Sequence, residues 1–285
     1  MAERGIGTVA PEIVITDDAT ELAREASRRV VGALEEAIRQ RGEGHVALTG
    51  GSSAITLYKE LAANWGDAID WRRVHLWWGD ERFVPIDHPE SNSGLAYASL
   101  LQISARGGMS GFGGESADVD AGDLPGLPIP TENIHPVGID EAQSDSAAAG
   151  LVAKRYAQAL DALLPRTGGL PVFDVILLGV GDDGHILSVF PGSSALEPDA
   201  PLVTAVPAPD HIGPRLPRVT LNPRLLEAAR LVIVMVPGAG KAEVIRRIFG
   251  GSSDDPRDLP AILARRANAV WLLDRESAAQ LPVRG

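Results

Sequence analysis

The chain has 285 residues, a formal net charge of −12 and no cysteine. Without thiols there are no disulfides, thiolate metal sites, iron–sulfur clusters or cysteine nucleophiles. The negative charge argues against a nucleic-acid or anionic-membrane partner, since both need positive potential.

Hydrophobic residues make up 45% and charged residues 22%, the balance of a globular protein. No apolar run approaches the roughly 20 residues needed to span a bilayer. The first residues lack a charged-then-apolar signal layout, so a cytoplasmic location is expected.

In chain order, Glu12–Ile15 reads as a strand, and a helix follows from about Asp18 to Gln40. Asp18 and Glu21 make a capping-box-like start, and Leu22, Ala26, Val30, Ala33 and Ala37 line one helical face. Val46–Thr49 is a strand, Ser52–Asn64 a helix and Val74–Trp78 a third strand. A long polar loop then runs from Gly79 to Asn92. Residues 104–127, rich in glycine and without apolar period, read as a flexible surface insertion within a single domain. Phe173–Gly179 is an apolar run but for Asp174, the pattern of a strand buried on both faces. Leu202–Val206 is a further strand, and Asn222-Pro223 reads as N-cap and first helical residue. Leu231–Val236, a helix over Ala239–Phe249, the strand Ala269–Leu273 and a short terminal helix complete the chain. Alternation of strands and helices implies an α/β fold, a parallel sheet with helices on both faces.

Four segments at strand ends carry the candidate chemistry. Gly50-Gly51-Ser52 lies between a strand and a helix, where exposed backbone N–H groups and the helix dipole suit a phosphate. Gly50–Ala54 nearly spells a nucleophile elbow but fails at Ala54. Asp80, Glu81 and Arg82 leave the third strand at its carboxyl end, where parallel sheets bind ligands. Arg82 can grip a phosphate through paired hydrogen bonds, while Ser91 and Asn92 offer groups suited to sugar hydroxyls.

Gly179–His185 is the sharpest signal. It contains a literal G-x-G-x-x-G, yet Asp182 and Asp183 inside it would repel a pyrophosphate, and the acid expected roughly 20 residues on is Thr204. What remains is a Gly-rich loop, Gly184 included, presenting His185 as a neutral-pH base, with Asp183 near enough in sequence to orient it. Lys241 falls in the first turn of a helix, where a bound anion would offset its clash with the dipole. Arg218 is a weaker basic candidate. His45, His75, His88, His135 and His211 show no metal-ligand spacing and read as structural, so no metal is expected.

Taken together, LTGGSSAITL (Leu48–Leu57), WWGDERFVP (Trp77–Pro85), Ser91-Asn92, GVGDDGHILSVFPG (Gly179–Gly192), RVTL (Arg218–Leu221) and VPGAGK (Val236–Lys241) resemble the 6-phosphogluconolactonase family from about Ile13 to Leu273. The resemblance implies a modified Rossmann-like fold and hydrolysis of a sugar-phosphate lactone without cofactor. It implies His185 as general base, with Arg82 and Lys241 on the substrate phosphate, helped by the Gly50–Ser52 turn. A monomer is expected. Ile186 and Leu187 depart from the family's usual Thr-Ala after the histidine. Two alternatives stand beside this reading. A glucosamine-6-phosphate deaminase would carry a glutamate where Phe190 stands. A non-catalytic sugar-phosphate sensor would need a DNA-binding module.

Overall fold

The computed structural model describes residues 10–101, 126–139 and 146–282. Six strands form one parallel sheet in the order β1-β11-β10-β7-β2-β3. In chain order they are β1 (Glu12–Thr16), β2 (Gly44–Leu48), β3 (Val74–Trp78), β7 (Val175–Leu178), β10 (Leu231–Val236) and β11 (Ala269–Asp274). Every residue of β2, β7 and β11 is buried, as strands covered on both faces must be. The expected Rossmann-like α/β layout holds, with β11, β10, β7 and β2 as its central strands.

Helix α1 (Ala19–Arg41) starts as its sequence requires, with Asp18 Oδ1 accepting from the N–H groups of Thr20 and Glu21, both at 2.8 Å. It packs on α2 (Ser52–Asn64) and on β2, β10 and β11. Asn92–Ala96 forms α3, Ser146–Leu163 forms α4, Leu225–Ala228 forms α5 and Ala242–Phe249 forms α6. Of the expected insertion, residues 104–125 lie outside the described residues. Leu127 is a core residue, its N–H bonded to Leu100 O at 3.0 Å.

Leu202–Val206 is a strand as read, but it lies outside the parallel sheet that strand–helix alternation implies, and Gly79–Asn92 is not loop throughout. Instead β8 (Val203–Val206) lies in a second, antiparallel sheet with β9 (Arg218–Leu221) and β4 (Asp80–Arg82), in the order β4-β9-β8. Three charged residues give no hydrophobic alternation, so only pairing with β9 makes Asp80–Arg82 a strand. A minor hairpin, β5 (Arg166–Thr167) with β6 (Leu170–Pro171), precedes β7.

The two sheets meet at Gly79, the single residue between β3 and β4. Its N–H bonds Leu48 O of the large sheet, and its carbonyl accepts from Leu221 N of the small sheet, both at 2.8 Å. A Cβ there would stand 2.8 Å from Leu187 Cδ2 and 3.3 Å from Leu48 O, so the joint admits only glycine without a shift.

At the amino ends of β2 and β3, away from the strand termini that carry the motifs, three imidazoles gather. His75 Nδ1 is 3.0 Å from His135 Nε2, and His45 Nδ1 accepts from Trp77 Nε1 at 3.2 Å. Burial lowers the pKa of all three, that of His135 to about 4. Free histidine titrates near about 6.5. Between that value and 4 the unfolded chain binds protons that the fold refuses, so stability is present above the window and lost as pH falls through it. His135→Phe keeps the stacking on Trp77, whose ring centroid lies 4.1 Å away. The substitution should flatten the acid loss by on the order of 1–2 kcal/mol, after allowing for a ring partly open to solvent. Urea unfolding of both proteins across the window tests this, and parallel curves would refute it.

Candidate active site

In the large sheet the chain runs outward from β2 to β3 on one side and from β7 to β10 and β11 on the other. The carboxyl ends of β2 and β7 therefore flank the switch point, where open α/β sheets leave a crevice. A cleft of about 210 Å³ opens there, lined by Thr49–Ser53, Asp80, Arg82, Asn92, Gly179–Gly181, His185, Leu187, Arg218, Met235, Pro237 and Lys241.

His185 is held by its own loop. Asp183 Oδ1 accepts from the His185 backbone N–H at 3.1 Å and meets the ring Nδ1 at 2.6 Å. With Nδ1–H given to the carboxylate, Nε2 keeps its lone pair for the cleft. The loop closes tightly, Gly181 N–H donating to His185 O at 2.9 Å. A Cβ on Gly181 would lie 2.0 Å from His185 Nδ1, so glycine is required for the imidazole to sit there. Burial would push the Asp183 carboxyl up, but its bonds to His185 and His211 outweigh that and hold it well below the usual carboxylate range. Leu187, with φ 56°, is a non-glycine residue in the left-handed region at the cleft wall, a strained conformation of the kind concentrated at functional sites.

The opposite wall is cationic. Arg82 and Arg218 are direct cross-strand partners on β4 and β9, a like-charge pairing that destabilises a sheet unless an anion relieves it. Arg82 Nη1 donates to Glu90 O at 2.6 Å, and Arg218 Nη2 donates to Pro214 O at 3.0 Å. Each guanidinium keeps a buried Nε–H that meets no acceptor. Burial lowers the pKa of Arg218. Beside them, α2 begins at Gly51 with no side-chain cap, so its first N–H groups are unclaimed by side chains. Lys241 lies in a one-turn 3₁₀ segment and bonds Val180 O at 2.9 Å and Asp182 Oδ1 at 2.6 Å. A chain of net negative charge thus concentrates positive groups at one place.

The model of the family described as glucosamine-6-phosphate isomerases/6-phosphogluconolactonase matches residues 17–272. The chain belongs to this family. It is 36% identical over 277 residues to the 6-phosphogluconolactonase of Mycobacterium tuberculosis, covering 96% of this chain and 100% of that one. Among solved structures, the 6-phosphogluconolactonase of Trypanosoma brucei superposes with a TM-score of 0.77 at 30% identity, covering 95% of this chain and 99% of that one. That of Trypanosoma cruzi gives 0.78 at 26% identity, with 97% and 100% covered.

On this family fold the cleft gathers Gly50, Gly51, Ser52, Asp80, Arg82, Asn92, His185, Arg218 and Lys241 of the residues the sequence singles out. Asp183 stands behind His185 rather than in the cleft. Glu81 and Ser91 are not on the cleft wall. Glu81 is buried and accepts from the N–H groups of Asn92 and Ser93, each at 2.7 Å, while Ser91 Oγ accepts from Gly94 N at 3.0 Å; together they cap α3. Strand alternation explains the split: Asp80 and Arg82 share one face of β4, and Glu81 takes the other. Gly184 also lies off the cleft wall.

Two residues escape sequence reasoning. Ser188, fully buried, donates to Asp80 Oδ2 and lies 3.4 Å from Arg218 Nη1. It sits inside the GHILS stretch, but nothing in its spacing marks a partner more than a hundred residues away. His211, expected to be structural, meets Asp183 Oδ2 at 2.8 Å through Nε2. A lone histidine in a proline-rich loop carries no local signal for that contact. Among the described residues no group of three or more His, Asp or Glu side chains is arranged to hold a metal ion, and no helix is long and apolar enough to cross a membrane.

Proposed function

We propose that this chain hydrolyses 6-phospho-D-glucono-1,5-lactone to 6-phosphogluconate, the lactone-opening step of the oxidative pentose phosphate pathway. The relatives at 30–36% identity that carry the name 6-phosphogluconolactonase support this reading over most of the chain. The observation that carries it is a convergence in one cleft: a carboxylate-oriented imidazole shares it with two guanidinium groups whose buried Nε–H donors meet no protein acceptor.

His185 Nε2 takes a proton from water as the oxygen attacks the lactone carbonyl, leaving a tetrahedral oxyanion. When the carbonyl re-forms, the bond to the ring oxygen breaks, and that oxygen receives the proton held on His185. A general base contributes about 10²–10⁴-fold and one oxyanion donor about 10²–10³-fold. Those magnitudes suffice for an ester already reactive in water. Arg82, Arg218, Lys241 and the amino end of α2 hold the phosphate, which fixes the ring over the base. All of these groups come from one chain, which fits action as a monomer, and the substrate class fits a cytoplasmic location.

Adding the protein to freshly generated 6-phosphogluconolactone should raise proton release well above the spontaneous rate. Release at the uncatalysed rate, together with tight sugar-phosphate binding, would instead favour a sensor.

A further inference from the structure

Asp183 holds two imidazoles, one on each carboxylate oxygen. Oδ1 meets His185 Nδ1 at 2.6 Å and Oδ2 meets His211 Nε2 at 2.8 Å. His211 arrives from the loop between β8 and β9, 28 residues further along the chain. That loop is tied to the cleft wall, since Pro214 O accepts from Arg218 at 3.0 Å and Pro217 O accepts from Phe83 N at 2.7 Å. Phe190 packs against both rings, 4.6 Å from His185 and, edge-on, 5.8 Å from His211. The result is an imidazole–carboxylate–imidazole chain with one end in the cleft and the other 45% exposed.

We propose that His211 is a positioning residue that acts through Asp183, orienting the carboxylate and limiting how strongly it favours the protonated form of His185. The inference rests on the reading of His185 as the base. A carboxylate has lone pairs enough for both rings, so His211 does not displace His185. A protonated His211 puts a positive charge on the far side of Asp183, which opposes a second positive charge on His185. The bond to Asp183, with a smaller share from Asp210, raises the pKa of His211, so that charge persists upward from acid pH.

The other charges facing the pair are named readily. On the loop of His211 are Asp210, 3.3 Å from Nδ1, and the exposed Arg215. On the loop of His185, Asp182 is held by Lys241. From β9, Arg218 lies 5.3 Å over Phe190, and beyond it stand Arg82 and Asp80. None of these others has an ordinary pKa near neutrality, which leaves His211 as the member of this set whose charge changes there.

The test is kcat/KM across about pH 5 to 9 for wild type, His211→Ala, His211→Gln and His185→Ala. Removing His211 lets Asp183 act fully on His185, so the acid limb should move to higher pH by about half to one unit in both His211 variants. Glutamine keeps a donor to Asp183 without the charge, so its high-pH plateau should exceed that of alanine. A uniform loss in both variants with an unmoved limb would overturn the proposal and leave His211 a packing residue. If His185→Ala keeps wild-type turnover, the base assignment fails and this inference with it. If His185→Ala is inactive while the limb stays fixed, only the role of His211 is lost.

Discussion

His185→Ala lowers kcat on 6-phosphogluconolactone by about 10²–10⁴-fold, the range a positioned general base contributes, while KM stays within a few-fold of wild type. The split follows from geometry. The imidazole is fixed by Asp183 at 2.6 Å on its Nδ1 side, and Arg82 and Arg218 stand on another sheet, so removing the ring leaves that wall intact. Asp183→Asn falls in the same direction, because an amide can present its N–H to Nδ1 and favour the wrong tautomer. Stopped-flow proton release against the spontaneous rate measures both. Wild-type turnover in His185→Ala would move the base elsewhere in the cleft.

Arg82→Ala raises KM by about 10–150-fold with a smaller change in kcat, the equivalent of the roughly 1.5–3 kcal/mol of a charged hydrogen bond. Arg218→Ala does the same and also costs stability. Arg218 is 3% exposed and is linked through Ser188 to buried Asp80, and its loss removes a cation whose charge acts with that carboxylate. The double variant should lose less than the product of the two single effects, since on the proposed mechanism both groups serve one phosphate and removing either already relieves their mutual repulsion. Initial-rate kinetics over a range of lactone concentrations reads this, and an unchanged KM in Arg82→Ala would place the phosphate elsewhere.

The parallel sheet was legible because its central strands are buried on both faces and so read as apolar runs, Val175–Leu178 and Leu231–Val236 above all. Strand-end loops were legible for the same reason: once a strand end is located, the polar residues after it are ligand candidates. The small sheet was not. Asp80–Arg82 has no apolar residue to alternate, and its identity as a strand depends on Thr220, Val219 and Arg218 of β9 lying opposite. Reading it as loop put Glu81 beside Asp80 and Arg82 as a ligand group, whereas a strand turns it the other way, into the cap of α3. Helix α4 went unread although Val152, Tyr156 and Leu160 recur at helical spacing along it and are buried. His211 and Ser188 depend on contacts across the chain that no local spacing encodes.

The single-residue joint at Gly79 has a kinetic consequence. Its N–H is bonded to the sheet that carries the base and its carbonyl to the sheet that carries the arginines, so these two walls cannot swing apart as separate lobes without breaking paired backbone bonds. On the proposed mechanism, catalysis between them would run in a pre-set vice rather than through hinge-bending closure, which requires a few free residues where the chain crosses between lobes. The distance from phosphate grip to base is then a fixed ruler. Lactones whose phosphate sits one carbon nearer to or farther from the carbonyl should still bind, yet present the wrong atom to His185.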